Sequence, residues 1–152
     1  MIISCYPTVG KSTLSMKNNL IIDLDSKPFN SIKSKFSDWW KIYCDIALDL
    51  EKQGYIVLIW ANNENIHRYL KNNAESYHII IYDENLKEYV YKKAKARDKI
   101  NPKLKTTHYI LSKFDGVKDQ MMNISMEYNI DLYLINDKNY NLEYIINNKL
   151  KK

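Results

Sequence analysis

Residues 5 to 13, CYPTVGKST, carry Gly10, Lys11 and Ser12 at the spacing of a phosphate-binding loop, G-x-x-x-x-G-K-[ST], with Cys5 where that pattern has its first glycine. Such a loop aims backbone N–H groups and a helix N-terminus at phosphate oxygens. Its lysine reaches the β- and γ-phosphates, and its serine hydroxyl holds magnesium. Tyr6, Pro7, Thr8, Val9, Gly10, Lys11, Ser12 and Thr13 are therefore the expected nucleotide contacts. The first glycine normally serves a tight backbone path at the strand's end. Cysteine is small and the loop keeps its length, so the expectation is binding with altered geometry. Cys5 itself reads either as a buried small hydrophobe or as a reactive thiol near a helix N-terminus.

A second chemical signal is LIIDLDS, residues 20 to 26, in which Asp23 and Asp25 lie two apart and so on one side of an extended chain. Ligands of an open α/β sheet sit beyond the carboxyl ends of its strands. There Asp23 would serve magnesium or take the proton of an attacking oxygen, and Asp25 would hold the acceptor. The plain alternative is a solvated strand end. The third apolar run ends IWANNEN, without the aspartate of a Walker B motif, which shifts metal duty toward Asp23. Asn62 and Asn63 are acceptor contacts or simply an Asn-rich turn. His67 and Arg68 open the next helix toward the same edge and complete the candidate acceptor set, with a solvated arginine as the competing reading.

The segment LKEYVYKKAKARDKINPKLK, ending at Lys105, sets many cations against Glu88 and Asp98. It reads as a solvated helix face, as a nucleic-acid patch interleaved with Tyr89 and Tyr91, or as a lid closing over phosphates. The lid is preferred to nucleic acid because phosphoryl transfer needs cations over the migrating charge and water excluded. Arg97 is its best single residue, since a guanidinium matches phosphate oxygens in a fork. Lys93 and Lys95 are read as solvated.

These side chains need a scaffold. Short branched apolar runs alternate with helical spacing, the pattern of an α/β domain with a parallel sheet. Strands are expected in MIISCY from 1, LIIDL from 20, YIVLIW from 55, YHIIIY from 77 and DLYLI from 131. Helices are expected from Lys11, from Asp38, from Glu64 and through 84 to 97. In the second of these, Trp39, Tyr43, Ile46 and Leu50 form the apolar stripe and Gly54 ends the helix. Residues 98 to 120, broken by Pro102 and Gly116, read as a mobile connection followed by a helix over Lys118 to Glu127. A mobile lid is placed around 87–120, and the final NNKLKK is expected to fray.

With 152 residues the chain is read as one domain, 1–152, and its net charge of +5 suits a phosphate-bearing partner as well as a lysine-dressed surface. Two cysteines without a C-x-x-C pair suggest reduced thiols and no zinc. No apolar run reaches the roughly 18 residues of a membrane span, and no secretion signal is read at the start, so a soluble cytoplasmic protein with no membrane partner is expected.

The order YPTVGKSTL, IIDLDS, DWWKIYCDIALDLEKQGYIVLI and IYDENLKEYVYKKAKAR resembles the small phosphate-loop kinase-like proteins encoded by bacteriophages, described as nucleoside or nucleotide kinases. More distantly it is similar to the adenylate kinase and shikimate kinase group, in which an Asp-x-Asp after the second strand serves magnesium and acceptor. The resemblance covers the chain up to about residue 100. It implies a three-layer α/β/α phosphate-loop NTPase fold with a parallel five-stranded sheet, ATP and Mg2+ as cofactors, and transfer to a nucleoside monophosphate or similar small acceptor, in the host cytoplasm. Cys5 and Thr8 stand where those proteins usually have glycine, WANN replaces a Ser-Ser-His type ending, and the arginine of the next helix corresponds to His67 or Arg68. The competing expectations are a nucleotide-binding module without transfer and a nucleic-acid-binding protein, the latter without any recognised motif.

Overall fold

A computed structural model describes residues 1–150. Five strands, β1 (Ile2–Cys5), β2 (Ile21–Asp23), β3 (Ile56–Ile59), β4 (Tyr77–Tyr82) and β5 (Asp131–Ile135), form one sheet in the order β2-β3-β1-β4-β5, with every neighbouring pair parallel. Each lies within one of the five branched apolar runs. Every residue of β1 and β4 is buried, as continuous apolar strands require when both sheet faces are covered.

Among the described residues, seven helices connect and flank the strands: α1 (Lys11–Lys17), α2 (Asn30–Lys33), α3 (Trp39–Lys52), α4 (Glu64–Asn73), α5 (Lys87–Ile100), α6 (Thr106–Tyr128) and α7 (Leu142–Ile145). The chain leaves β1 in one direction along the sheet to reach β2, then runs in the other direction through β3, β4 and β5. Right-handed crossovers therefore put the first helix on one face and the later ones on the other. Packing agrees: α3, α4 and α6 contact one another in succession, and α1 packs against α7. The arrangement is compatible with three α/β/α layers. Because the connection of β1 departs to one face and those of its neighbours β3 and β4 to the other, a crevice opens at the carboxyl end of β1.

Two local expectations are corrected. The buried stripe of α3 is Tyr43, Cys44, Ala47, Leu48 and Glu51, while Ile46 faces solvent. The face is turned by the Glu51 carboxylate, which accepts the N–H groups of Glu75 and Ser76 at 3.0 and 3.2 Å and so belongs inside. Second, residues 98 to 120 are mostly helical. α5 continues to Ile100, a 3₁₀ turn covers Pro102–Leu104, and α6 begins at Thr106. Asp98 caps α6 from the preceding helix, accepting the N–H groups of Thr106 and Thr107 at 2.8 and 2.7 Å. Those bonds pull its carboxyl down to about 2. Gly116, at φ 94, marks a kink with Asp115, after which α6 resumes. Residues 147–150 of the terminal NNKLKK lie in a π turn, Ile146–Leu150, that continues α7, with Asn147, Asn148 and Lys149 exposed to solvent; Lys151 and Lys152 are outside the described residues.

The mobile lid expected around 87–120 is narrowed by the same packing. Val90 and Ala94 of α5 and Ile110, Phe114 and Val117 of α6 belong to the core. Swinging both helices out would expose these side chains at a cost of roughly 1.5–3 kcal/mol for each large one. Only the end of α5 and the turn to Thr106 are free of such anchors. No helix among the described residues is long and apolar enough to cross a membrane.

Candidate functional site

A cavity of about 950 Å³ opens at the carboxyl end of β1. The loop residues Pro7 to Thr13 form its floor, Asp23 and Asp25 follow from the end of β2, and Lys93 and Arg97 come from α5. The loop and the acidic pair, 10 or more residues apart in sequence, are joined directly: the Ser12 hydroxyl donates to Asp23 Oδ2 at 3.0 Å. Asp25 spends Oδ1 on the Lys27 N–H at 2.9 Å, which fixes the turn after β2 and orients the carboxylate.

Lys11 is half-buried, and its ammonium donates to the Cys5 carbonyl at 2.9 Å. Burial lowers its pKa; Cys5, Asp23 and Asp25 oppose that shift and Arg97 adds to it. No carboxylate lies within ion-pair distance of Lys11 among the described residues. Around it, the backbone N–H groups of Thr8, Gly10, Lys11, Ser12 and Thr13 have no protein acceptor among the described residues. Buried or half-buried backbone donors are seldom left unpaired. Thr8, Gly10 and Lys11 are buried or half-buried, whereas Ser12 and Thr13 are exposed in the first turn of α1, where N–H groups have no helical partner; together, beside a desolvated cation, the five form a concavity suited to an anion.

The loop also shows which departure from the glycine pattern matters. Cys5 has ordinary negative φ, is fully buried, and its thiol points back to the Ile3 carbonyl at 3.7 Å. Burial pushes that thiol up to about 12, so the reactive-thiol reading gives way to the small buried hydrophobe. Thr8 is the strained position, at φ 73. For a β-branched residue this left-handed conformation costs about 1–3 kcal/mol. It is held by the Tyr82 hydroxyl, which donates to the Thr8 carbonyl at 3.3 Å. The Thr8 hydroxyl is buried without a partner.

Several expected contacts are not brought to the cavity. The Tyr6 ring is buried behind the wall, edge-on to Trp60 at 5.1 Å, because the residue after a central strand points into the core. Asn62 is exposed away from the cavity, with its backbone carbonyl accepting from Gln120 Nε2 at 3.2 Å. Asn63 caps α4, its side chain accepting the Asn65 N–H at 2.9 Å. Arg68 is exposed and donates to Asn65 Oδ1 at 3.0 Å.

His67 is a core residue. Its Nε2–H donates to the Ala61 carbonyl at 2.8 Å, which leaves Nδ1 to accept the Tyr77 hydroxyl at 2.7 Å. The Ala61 N–H in turn donates to Ser4 Oγ at 3.2 Å. This network ties the end of β3 to β1 and β4 beneath the loop. Burial lowers the imidazole to about 4 against an ordinary 6.5, despite the raising effects of the Ala61 bond and Glu64. A depressed histidine stabilises the fold fully above the unfolded value and loses that contribution as pH falls from 6.5 toward 4. Between pH 7 and 4.5 the expected loss from this residue is roughly 2–3 kcal/mol. Chemical denaturation at both pH values should show a smaller loss for His67→Gln than for the wild type; equal losses would mean that His67 titrates normally.

Sequence reasoning missed Trp60 and Tyr109, which line the cavity, and it read Lys93 as solvated. Trp60 Nε1–H donates to the Tyr109 hydroxyl at 2.8 Å, joining the end of β3 to α6. No protein-family model matches the chain, and no curated protein matches it.

The loop, hydroxyl and carboxylates also fit the magnesium nucleotide implied by the resemblance. Magnesium is held by one or two carboxylates together with phosphate oxygens and waters. Ser12 and Asp23, already within hydrogen-bond distance of each other, are the residues that would supply the protein's share, and among the described residues no cluster of three acidic, histidine or cysteine side chains forms a separate cage.

Proposed function

We propose that the protein has a phosphate-loop NTPase fold and is an ATP-dependent phosphotransferase of the nucleotide kinase type, moving the γ-phosphoryl group to a nucleoside monophosphate or similar small acceptor. The observation that carries this reading is the set of five unpaired loop N–H groups around the half-buried, carboxylate-free Lys11. The strand order and the Ser12–Asp23 contact support it.

In this reading the loop N–H groups bind the β-phosphate and Lys11 exchanges the Cys5 carbonyl for phosphate oxygens. Ser12 and Asp23 would hold magnesium, which would supply positive charge to offset the charge developing on the phosphates. Asp25 accepts a hydrogen bond from the attacking acceptor oxygen and orients it. Arg97, at the mouth, stabilises the migrating phosphoryl charge. The nucleotide-binding module is the second reading, favoured by the absence of Asn62, His67 and Arg68 from the cavity.

The test is a thermal-shift screen of nucleotides with magnesium, followed by a radiolabel transfer assay over nucleoside monophosphates, nucleosides and small hydroxylated metabolites. ATP with magnesium should raise the melting temperature, since a ligand at 100 times its Kd adds about 2.7 kcal/mol. At least one acceptor should become labelled. A shift without labelling would establish the binding module instead, and no shift with any nucleotide would reject both readings.

A further inference from the structure

The cavity is larger than the loop and its acidic pair require, and one part of its wall has no role in the reading above. That part is made by Trp60 and Tyr109, joined by their 2.8 Å hydrogen bond, with Leu104, Thr106 and Lys93 around them and Arg97 at its edge. We infer that this wall is the acceptor-specificity site, and that it selects an acceptor carrying both a flat aromatic ring and a phosphate, with Trp60 and Tyr109 receiving the ring and Lys93 the phosphate. The inference rests on the phosphotransferase reading for the meaning of the word acceptor, but binding at the wall stands or falls separately.

Two independent observations lead here. The first concerns charge. Lys93 and Arg97 are four residues apart on α5 and therefore on one face of it, and both line the cavity. Neither has a carboxylate within ion-pair distance among the described residues. Lys93 is half-buried. Its ammonium sits 5.3 Å from the Tyr89 ring centre and 6.0 Å from that of Tyr82, and 3.4 Å from the Tyr82 hydroxyl. Aromatic faces and a phenol hold a cation in place without neutralising it. Arg97 is assigned to the transferring group, which leaves Lys93 as a second, fixed cation for a second phosphate.

The second observation concerns the ring. A partly exposed indole and phenol, locked together and backed by the buried Tyr6 ring, present a rigid aromatic surface in the cavity wall. Tyr6 is itself packed edge-on against Phe114 at 5.8 Å and Tyr82 at 6.1 Å, so the backing cannot yield. Aromatic surface of this kind gives up little side-chain freedom on binding and favours flat ligands. A sugar phosphate or aliphatic hydroxy acid would leave it uncovered, whereas a nucleobase would cover it.

The test begins with calorimetry on the wild-type protein without ATP, using adenosine, cytidine and thymidine monophosphates, the corresponding nucleosides, and ribose 5-phosphate. At least one monophosphate should bind, with its nucleoside and ribose 5-phosphate each at least tenfold weaker. Lys93→Ala should weaken the monophosphate about tenfold and leave the nucleoside within threefold; Trp60→Leu should weaken monophosphate and nucleoside alike and leave ribose 5-phosphate unchanged. Lys95→Ala, an exposed lysine of the same helix, is the control. Lys11→Ala separates the two readings: monophosphate affinity should persist within threefold in that variant even if the phosphate-loop assignment were wrong. Ribose 5-phosphate binding as tightly as every monophosphate would overturn the ring slot, as would the absence of monophosphate binding. A loss of monophosphate binding in Lys11→Ala would overturn the site by placing the ligand on the loop. Equal weakening of nucleoside and monophosphate by Lys93→Ala would reduce Lys93 to a structural residue.

Discussion

Lys11→Ala is expected to weaken binding of a non-hydrolysable ATP analogue with magnesium by about 2 kcal/mol or more, roughly thirtyfold, through loss of a charge-assisted contact to phosphate. The structure adds a second expectation. The Lys11 ammonium is partly desolvated and has only a carbonyl for a partner. Removing it relieves a buried charge rather than breaking an ion pair, so the free variant should melt no lower than the wild type. Calorimetry and melting curves together check this: weaker binding with an unchanged or raised melting temperature is the expected pair. Equal affinity of variant and wild type would remove the phosphate-loop assignment. A large fall in melting temperature without ligand would mean that the lysine is a structural post.

Arg97→Ala is expected to lower turnover by about 100-fold or more while changing ATP affinity little, because a guanidinium aimed at the migrating phosphoryl group acts mainly in the transition state. Arg97 lies at the exposed end of α5, one turn beyond the anchors Val90 and Ala94. Its approach to bound phosphate therefore requires only the turn over 101–105 to tighten, and Asp98 holds the far side of that turn to α6. Lys95→Ala should be nearly silent, since that ammonium rests over the Tyr91 ring at 5.4 Å and does not line the cavity. Hydrogen exchange should show ligand-dependent protection confined to about 97–106. Slowing across the whole of α5 on adding single-stranded nucleic acid, with no response to ATP, would favour the nucleic-acid reading of the basic helix. Similar turnover in Arg97→Ala and Lys95→Ala would remove Arg97 from the chemistry.

The five parallel strands were legible because each is a short branched apolar run, and a run with no polar face has to be covered on both sides whatever its neighbours are. Much of the cavity was legible for a similar reason. Pro7 to Thr13 follow β1 as its loop and the start of α1, Asp23 ends β2 and Asp25 follows it, and the carboxyl end of a parallel sheet is where such side chains meet. Local spacing failed where a distant partner decided the outcome. Glu51 turned α3 by reaching the N–H groups of residues 75 and 76, and Asp98 started α6 by capping it across a turn. His67 has the same spacing after β3 as a ligand would, but the carbonyl of Ala61 and the hydroxyl of Tyr77 close around it and take it out of the cavity. Trp60, Lys93 and Tyr109 are the reverse case. Nothing in their separate neighbourhoods marks them as one wall, because they come from the end of β3, from α5 and from α6, and only the stacking of those helices over the sheet brings an indole, an ammonium and a phenol to one surface. Periodicity along a chain reports which side of an element is apolar. Which elements then face each other across a crevice is set by crossover direction, capping and packing, and those depend on residues far apart in sequence.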